Sequence, residues 1–243
     1  MIRPVLVAVA LWPWLPPALA AGAPWAYAGE RGPAHWATLD ADYALCEAGR
    51  NQSPVDLGTA TAAALAPLEL DYRAGGEVVR HDGHTLRIDL PAGDTLRLDG
   101  RSFTLRQVHF HTPAEHRLDG RNYPLEAHLV HTGPAGELAV VGVLFEPGAP
   151  NPALAAFREP LPTSAGASRP LAEPLPLMAL LPDALDYDRY SGSLTTPPCS
   201  EGVRWIVLRR PVTASPTQLA ALRQALGQSN RPLQPLHARL VLE

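Results

Sequence analysis

Two stretches of alternating apolar and polar residues, each carrying histidines on one face, constrain the fold of this chain more than any other feature. In the first stretch, residues 103–110, the alternation is typical of a β-strand with one buried face. Side chains two residues apart on a strand point the same way, so Gln107, His109 and His111 are predicted to share a face. Two imidazoles would then lie side by side.

The second stretch, residues 125–131, follows a turn-rich gap and is predicted to carry Glu126, His128 and Val130 on one face. If the two strands pair, His128 can face the two histidines of the first strand. Three neutral nitrogen ligands and an open fourth position are the pattern of a catalytic zinc site. Two histidines on a strand are more often ordinary surface or core residues, so the third histidine is what favours a metal site. A closed Cys-rich site is excluded because the chain has only two cysteines.

The first 21 residues are predicted to be a secretory signal peptide. Arg3 precedes an apolar stretch at residues 5–15, and residues 18–20 form a small-x-small cleavage signal. That apolar stretch is shorter than the roughly 20 residues that a spanning helix needs. We therefore expect an exported protein, periplasmic or secreted, with no membrane span after cleavage. In such an oxidising compartment Cys46 and Cys199 are expected to form one disulfide.

The remaining residues, 22–243, suit a single domain with a substantial core. The formal net charge of the whole chain is −4. It becomes −5 when Arg3 leaves with the signal peptide, since residues 1–21 contain no other charged side chain. A negative charge argues against nucleic acid and against an anionic membrane surface as partners.

Short strand-like runs dominate this domain, and helical signals are few. The predicted strands are residues 68–72, 77–80, 85–90, 95–98, 103–110, 125–131, 138–145 and 205–208. The run at 138–145 is nearly all apolar, as in a strand buried on both faces. One helix is predicted at 217–226, with Ser215 as N-cap, Pro216 at its first position and Gly227 at its end. A further helical stretch at 152–157 is considered, and the Pro-rich segments 147–152 and 160–176 are predicted surface loops.

Across nearly the whole mature chain, a series of motifs resembles the α-class carbonic anhydrases. The motifs are His35-Trp36, residues 52–55, 82–84, 107–111, Glu115-His116, and residues 126–131, 192–199, 205–208 and 230–236. The resemblance implies a mainly β, α+β fold: one domain built on a large central twisted, mostly antiparallel sheet with small peripheral helices. It also implies an enzyme that hydrates CO2 reversibly to bicarbonate and a proton.

In that family the reaction proceeds by attack of zinc-bound hydroxide on CO2. The resemblance assigns His109, His111 and His128 as the zinc ligands, in agreement with the strand geometry. Neutral ligands leave the zinc its full charge, which lowers the pKa of bound water to about 7. Gln107 and Glu126 are expected to accept hydrogen bonds from the first and third ligand, because ligating imidazoles need their other N–H anchored. The partner of His111 is not identifiable from the sequence.

Further roles follow from the same resemblance. Thr195 is expected to accept the hydrogen of the hydroxide and to donate its own to Glu115, since an ionised carboxylate can only accept. Thr196 would line the site and help to bind bicarbonate. His84 matches the proton shuttle of the family, a role that suits a group whose ordinary pKa is about 6.5. His81 is close enough in sequence to substitute for it.

An apolar wall for CO2 is implied as well. Its members would be Val130, Val140, Leu194, Val203 and Trp205. Ordinary core packing is the alternative explanation for each of these residues. A residue can pack in the core and also contact CO2. The disulfide between Cys46 and Cys199 also matches secreted and bacterial members, and would tie the N-terminal segment to the loop that carries Thr195.

Two other classes of protein are alternatives. A cupin-type metal protein also shows His-x-His-x3-Glu, which His109, His111 and Glu115 satisfy, and would hold iron or manganese. Cupins also carry spaced glycines around the motif and a later His-x3-Asn, and the sequence lacks both. The second alternative is a non-catalytic relative acting as a binding module, but such relatives have typically lost a ligand histidine. The oligomeric state is left open, with a homodimer among the states considered.

Overall fold

The computed structural model describes residues 22–243, so the predicted signal peptide at 1–21 lies outside the described residues. The described part contains fifteen β-strands, numbered here in chain order. They are β1 Ala60–Thr61, β2 Glu69–Asp71, β3 Ala74–Gly75, β4 Val78–His81, β5 Leu86–Asp89, β6 Thr95–Leu98, β7 Arg101–His111, β8 Leu125–Thr132, β9 Leu138–Pro147, β10 Ser168–Pro170, β11 Leu175–Pro176, β12 Tyr187–Ser193, β13 Glu201–Leu208, β14 Val212–Ala214 and β15 Val241–Leu242.

Helices are short and lie outside the sheet order. The α-helices are α1 Trp36–Leu39, α2 Leu45–Ala48 and α3 Pro216–Leu226, and the 3₁₀ turns are Gly29–Arg31, Ala41–Tyr43, Leu154–Ala156 and Leu177–Leu180. Among the described residues, no helix is long and apolar enough to cross a membrane.

One large sheet of thirteen strands forms the centre of the domain. Its main order is β1-β15-β12-β13-β9-β8-β7-β5-β4-β10, while β14 joins β9 and β6 joins β7 and β2. The pairs β1–β15, β13–β9 and β14–β9 are parallel, and the other pairs are antiparallel. The expected large, mostly antiparallel sheet with small helices is therefore confirmed.

The two faces of the sheet contribute to different apolar clusters. Along β9, Val141 and Val143 pack into the larger cluster, whereas Val140 and Leu144 pack into a second one. Successive side chains on a strand point to opposite faces, so the two clusters lie on opposite sides of the sheet. The prediction that residues 138–145 are buried on both faces is confirmed.

Local signals predicted the best-defined helix and every strand that alternates clearly. Helix α3 begins at Pro216 and is capped by Ser215, whose side chain accepts from the Gln218 N–H while the Gln218 side chain caps the Ser215 N–H. This reciprocal capping box and the following Gly227 explain why the helix has these ends. Each of the eight predicted strand regions contains a strand.

Three expectations needed correction. Residues 152–157 form only the 3₁₀ turn Leu154–Ala156. The segment 160–176, predicted as a loop, includes β10 and β11. Strand β10 lies at the end of the sheet, where proline is tolerated because no further strand requires its missing N–H. Strand β12 was missed, since its sequence Tyr-Asp-Arg-Tyr-Ser-Gly-Ser is polar and lacks a simple alternation, yet it pairs along its length with β13.

A buried carboxyl on β12 stands out against this apolar packing. Asp188 is 1 % exposed, and neither of its oxygens has a hydrogen-bond partner among the described residues. Nη1 of Arg209 lies 3.8 Å away. Burial raises the pKa of Asp188 to about 6, with Arg209 opposing that shift and Asp119 adding to it. An unsatisfied buried charge of this kind destabilises the folded state.

Replacing this carboxyl should stabilise the protein in a pH-dependent way. The folded-state pKa lies above the ordinary 3.8, so this group costs stability increasingly as pH rises from about 4 through about 6. Asp188→Asn is therefore expected to raise the free energy of unfolding by roughly 3 kcal/mol at most near neutral pH, and by much less at about pH 4. Urea unfolding at both pH values measures the difference. The exposed Asp186→Asn is the matched control; an equal effect of Asp188→Asn at both pH values would contradict the expectation.

Candidate metal centre

The pairing of β7 with β8 brings the histidines of the two strands together. The register places His109 opposite His128 and His111 opposite Glu126. Directly opposed residues in an antiparallel pair project to the same face with Cβ atoms about 5 Å apart. A register shift between Leu105 and Gln107 lies just before this pairing. The histidines of the two strands therefore project to one face of the sheet, as predicted.

Three imidazoles converge on one point at this position. One ring nitrogen from each of His109, His111 and His128 lies within 4.8 Å of the others, close enough for all three to hold one metal ion. The Nε2 atom of His109 is 3.3 Å from Nδ1 of His128. The Nε2 atom of His111 is buried and has no hydrogen-bond partner among the described residues. Such an orphaned nitrogen calls for a ligand, because buried polar atoms are otherwise paired.

The outer nitrogen of each ring is anchored by an oxygen. The three pairs are His109 Nδ1 with Oε1 of Gln107 at 2.8 Å, His111 Nδ1 with the carbonyl oxygen of Ser229 at 2.5 Å, and His128 Nε2 with Oε1 of Glu126 at 2.8 Å. Each acceptor requires an N–H on the outer nitrogen, so the inner nitrogen carries the lone pair. The set therefore presents three lone pairs to a common centre.

Electrostatics favour the neutral form of all three rings. Burial, followed by the neighbouring His111 and His128, lowers the pKa of His109 well below its usual range, and Arg87 acts in the same direction. Burial likewise lowers the pKa of His111 and of His128, although Glu126 opposes the shift in both. Neutral imidazole is the form that coordinates a cation, so burial prepares the ligands.

The Glu126 carboxylate is the most heavily used acceptor in the site. Its Oε1 accepts from the His128 ring and from Nδ1 of His116, and its Oε2 accepts from the backbone N–H groups of Glu115 and His116. Burial would raise the pKa of Glu126, but the adjacent His116 and His128 rings, which both donate hydrogen bonds to it, hold the pKa well below its usual range. It stays ionised and fixes the His128 ring.

A glycine on β9 makes room for this carboxylate. Gly142 lies opposite His128 in the register of β8 with β9. A Cβ atom added to Gly142 would approach Oε1 of Glu126 to 2.9 Å, closer than real contacts allow. Only glycine fits beneath the carboxylate without displacing it.

A second cluster shares atoms with the first. His116, Glu126 and His128 also lie within 4.8 Å of one another. Their atoms are already committed, because Glu126 accepts from both rings and Nε2 of His116 lies 2.7 Å from the Tyr190 hydroxyl. This cluster is therefore a hydrogen-bonded support for the three converging histidines.

Glu115 and Thr195 meet beside the histidines. Oε1 of Glu115 accepts from the Arg231 backbone N–H at 2.8 Å, while Oε2 lies 3.6 Å from Nε2 of His111. Burial raises the pKa of Glu115 to about 7, and His128, the Arg231 N–H and the nearby Thr195 hydroxyl oppose the shift. Oε2 has no hydrogen-bond partner among the described residues, so no bond of ordinary geometry joins the two side chains. Thr195 is buried, and Thr196 is partly exposed beside it.

The apolar residues expected to face CO2 form one cluster on the second face of the sheet. They are Val130, Val140, Leu194, Val203 and Trp205, called the apolar wall from here on. Val130 pairs with Val140 across β8 and β9, and Val140 pairs with Trp205 across β9 and β13. The Trp205 ring lies 4.8 Å from that of His128 between centroids, so the wall adjoins the converging histidines.

His84 lies in the turn after β4 and stacks on an aromatic residue of the N-terminal segment. Its ring is 3.5 Å from that of Trp25 between centroids, nearly parallel to it, and Nε2 lies 3.0 Å from the Trp25 carbonyl oxygen. Asp82 accepts from the His84 backbone N–H and fixes the turn. His81 is buried, and its Nδ1 accepts from the Gly83 N–H at 3.1 Å. His84 is partly exposed, whereas His81 is not.

Cys46 and Cys199 form a disulfide, as expected, and Arg231 binds the segments around it. The buried Arg231 guanidinium donates to the Cys46 carbonyl, to the Ser53 carbonyl and to Oε1 of Gln52, and Gln52 in turn donates to the Cys199 carbonyl. Through its own backbone N–H the same residue holds Glu115. The disulfide and the Arg231 guanidinium together fix the loop that follows β12.

Several supporting groups were not foreseen from the sequence. The Ser229 carbonyl, which anchors His111, is a backbone atom that no residue-type pattern marks. His116 was visible only as part of the Glu115-His116 motif, and Tyr190 lies in none of the motifs. Arg231 is a charged residue that is 2 % exposed, and a hydrophobicity pattern assigns such a residue to the surface.

Comparison with known proteins agrees with this architecture. Residues 31–243 match the family model described as eukaryotic-type carbonic anhydrase. A carbonic anhydrase of Pectobacterium carotovorum is 43 % identical over 219 residues, covering 90 % of each chain. The solved α-carbonic anhydrase of Thermovibrio ammonificans, in complex with the inhibitor sulfanilamide, is 44 % identical with a TM-score of 0.89, over 92 % of this chain and all of that one. The Photobacterium profundum α-carbonic anhydrase is 47 % identical with a TM-score of 0.86, over 90 % of this chain and all of that one.

These matches cover both the large sheet and the three converging histidines. They define the protein class as that of the carbonic anhydrases. The chain belongs to the α-class family, called eukaryotic-type, and is an enzyme of that family. The expected membership of the α-class carbonic anhydrase family is confirmed. The cupin alternative is excluded, because the fold and family are those of a different class of protein.

Glu126→Gln should weaken metal binding without unfolding the sheet. The amide offers one oxygen instead of two and turns an NH₂ group toward donors, so the His128 ring loses its fixed acceptor. We expect the affinity for Zn²⁺ to fall roughly 10- to 100-fold, the usual cost of losing such a partner. Competition with a chromophoric chelator measures this. Glu146→Gln, at a half-exposed carboxylate on β9 paired with Arg121, is the control, and equal affinity in both variants would refute the role of Glu126.

Proposed function

We propose that this chain catalyses the zinc-dependent reversible hydration of CO2 to bicarbonate and a proton. The carbonic anhydrase family supports CO2 as the substrate class. The observation that carries the proposal is the convergence of three inner imidazole nitrogens whose outer N–H groups are all anchored. His109, His111 and His128 are assigned as the ligands, with Gln107 and Glu126 orienting the first and third.

The donor set fits zinc better than a harder cation. Three neutral nitrogens in a closely spaced trio leave a fourth position open, and imidazole suits zinc, whereas magnesium and calcium prefer oxygen. When bound, zinc would lower the pKa of a coordinated water to about 7 and so supply the nucleophile at neutral pH. No protein carboxylate joins the trio, so the cation keeps its charge.

Thr195 and Glu115 are proposed to orient the attacking group. An ionised Glu115 accepts the Thr195 hydrogen, which leaves the Thr195 oxygen free to accept from the nucleophile. The ionised form of Glu115 would be favoured by a dication at the histidines, since opposite charges nearby lower the pKa of a carboxyl group. Thr196 is proposed to line the bicarbonate side of the same pocket. The Arg231 N–H holds Glu115 from behind.

The apolar wall is proposed to hold CO2 beside the histidines. CO2 carries no charge, so it can contact a wall of aliphatic and aromatic side chains, a surface that does not bind polar molecules more strongly. Val140, Val203 and Trp205 are almost fully buried, whereas Val130 and Leu194 are partly exposed. The exposed pair is therefore the part of the wall that the substrate meets first.

His84 is proposed to carry the proton to buffer. Direct loss of a proton from a group of pKa about 7 is limited to roughly 10² to 10³ per second, because recapture cannot exceed the diffusion rate. Nε2 of His84 is hydrogen-bonded to the Trp25 carbonyl oxygen. Nδ1 of His84 has no hydrogen bond within residues 22–243, so Nδ1 is the nitrogen available to accept a proton. Partial exposure of the ring gives buffer access to it.

The cellular setting is part of the proposal. We propose that residues 1–21 are removed as a signal peptide, that residues 22–243 form the catalytic domain, and that the mature protein acts in the periplasm or outside the cell. The disulfide supports this, because such bonds persist in oxidising compartments.

Stopped-flow measurement of CO2 hydration tests the function. The wild type should be fast, and His111→Ala should lose both bound zinc and activity, because removal of one ligand leaves two. Zinc content is measured on the same samples. Wild-type hydration no faster than that of His111→Ala would overturn the proposed zinc-dependent mechanism.

A separate experiment tests the shuttle. His84→Ala should lower maximal turnover in weak buffer about 10-fold or more, with kcat/KM for CO2 little changed, because proton transfer follows the chemical step. Added imidazole should restore turnover. The exposed His35→Ala is the control for loss of an unrelated histidine. Undiminished turnover of His84→Ala in weak buffer would remove His84 from the mechanism.

A further inference from the structure

Of the three converging histidines, His111 has the least support from the sheet. It is the last residue of β7 and is paired with a strand on one side only, where Glu126 of β8 lies opposite it. The pairing of β7 with β5 has already ended at Phe110. His109 and His128, in contrast, are each paired with a strand on both sides. The position of the His111 ring therefore depends more on its hydrogen-bond anchor than on its strand neighbours.

The anchor of His111 also lies outside the sheet. The side chains that anchor the other two rings, Gln107 and Glu126, belong to β7 and β8. The Ser229 carbonyl, which anchors His111, lies in the irregular segment that follows α3. A backbone carbonyl is only as well placed as the segment that carries it. The segment 227–231, called the strap from here on, must therefore be held in place for His111 to be held.

Thr112 makes three hydrogen bonds to the strap. Its hydroxyl donates to the Gly227 carbonyl at 2.6 Å, its N–H donates to Oγ of Ser229 at 3.0 Å, and its carbonyl accepts from the Ser229 N–H at 2.8 Å. Thr112 follows directly after β7, so no strand of the described sheet pairs with it and its backbone groups need other partners. It is 2 % exposed and Ser229 is fully buried, so water does not compete for the bonds between them.

The far end of the strap is held independently of Thr112. The Arg231 guanidinium donates to Oε1 of Gln52, and its backbone N–H donates to Oε1 of Glu115. Loss of a bond at Thr112 would thus loosen the strap near Ser229 without releasing it from the domain. The two ends of the strap can therefore be tested separately.

We propose that Thr112 is a positioning residue for His111. It acts through Ser229, whose carbonyl oxygen it holds against Nδ1 of the His111 ring, so that Nε2 of the ring points to the position that the three imidazoles share. This inference rests on the proposed function, in which His111 is a zinc ligand. Outer partners of a ligand set metal affinity, because they fix the orientation of the ring and of its lone pair.

Zinc affinity of three variants tests this role. Thr112→Val keeps the branched shape of the side chain and removes the hydroxyl donor, whereas Ser229→Ala removes the oxygen that accepts from the Thr112 N–H and keeps the backbone carbonyl. Each is expected to weaken Zn²⁺ binding about 3- to 10-fold, less than the loss of a direct outer partner, as measured by competition with a chromophoric chelator. Thr112→Ser keeps the hydroxyl and should keep the wild-type affinity.

Two controls separate positioning from stability. Thr38→Val removes a hydroxyl that donates to a backbone carbonyl at an exposed position of α1. Ser215→Ala removes an oxygen that accepts from the Gln218 N–H at the opposite end of α3. The second control should lower the free energy of unfolding and leave zinc affinity unchanged. The inference is overturned if Thr112→Val and Ser229→Ala bind zinc as tightly as the controls, or if Thr112→Ser weakens binding as much as Thr112→Val.

NMR of ¹⁵N-labelled histidines, recorded with excess Zn²⁺ present, detects the anchor of the ring directly. The Nδ1–H proton of His111 should exchange slowly with solvent in the wild type, because it is bonded to a buried carbonyl, and should lose this protection in Thr112→Val and Ser229→Ala. The Nδ1–H of His109, which is bonded to Gln107, should be unchanged. Unchanged protection of His111 in both variants would refute the role of Thr112.

The failure of this inference is distinguishable from that of the proposed function. Absence of CO2 hydration by the wild type would defeat the proposed function alone. Neither zinc competition nor proton exchange at the His111 ring requires turnover, so both would still confirm or refute the positioning role of Thr112.

Discussion

Whether the three imidazoles meet depends on the register between β7 and β8. Side chains alternate along a strand, so a slip of one residue would turn His128 to the opposite face, into the larger apolar cluster. The slip would also move Ala127 and Leu129 out of that cluster, where they pack in the observed register. The hydrophobic pattern that stabilises the sheet is therefore the same constraint that aligns the ligands.

Around these strands, the carboxylate that orients His128 is itself held by several other groups. Glu126 fixes His128 and is fixed by His116 and two backbone N–H groups, and His116 contacts the Tyr190 hydroxyl. Ser53 continues the chain of bonds by accepting from Tyr190. Satisfied networks of this kind are rigid, because each lost bond would leave a buried group unpaired. The result is a preorganised centre on the second face of the sheet, supported from the N-terminal segment as well as from the strands.

The sequence predicted those features whose cause is local or periodic. Alternation located β7 and β8, a nearly all-apolar run located β9, and the Ser215–Pro216 signal located α3, because each of these patterns lies within the element itself. Strand β12 was missed since its own sequence is polar and lacks a simple alternation, although it pairs with β13, the next strand along the chain. Within the site, the strand face predicted the converging histidines, and the family resemblance added Glu115 and Thr195. Backbone partners such as the Ser229 carbonyl escaped, because any residue carries that atom.

The disulfide has a consequence for biogenesis. Cys46 and Cys199 are separated by 153 positions, so a chain that emerges from its N-terminus presents the first thiol long before its partner exists. Throughout that interval the emerging chain holds no second thiol, so a premature disulfide at Cys46 would join it to another molecule. The helix that carries Cys46 is a single short turn and cannot hide the sulfur by itself. Correct maturation therefore needs either delayed oxidation or an exchange catalyst that reverses the wrong bond.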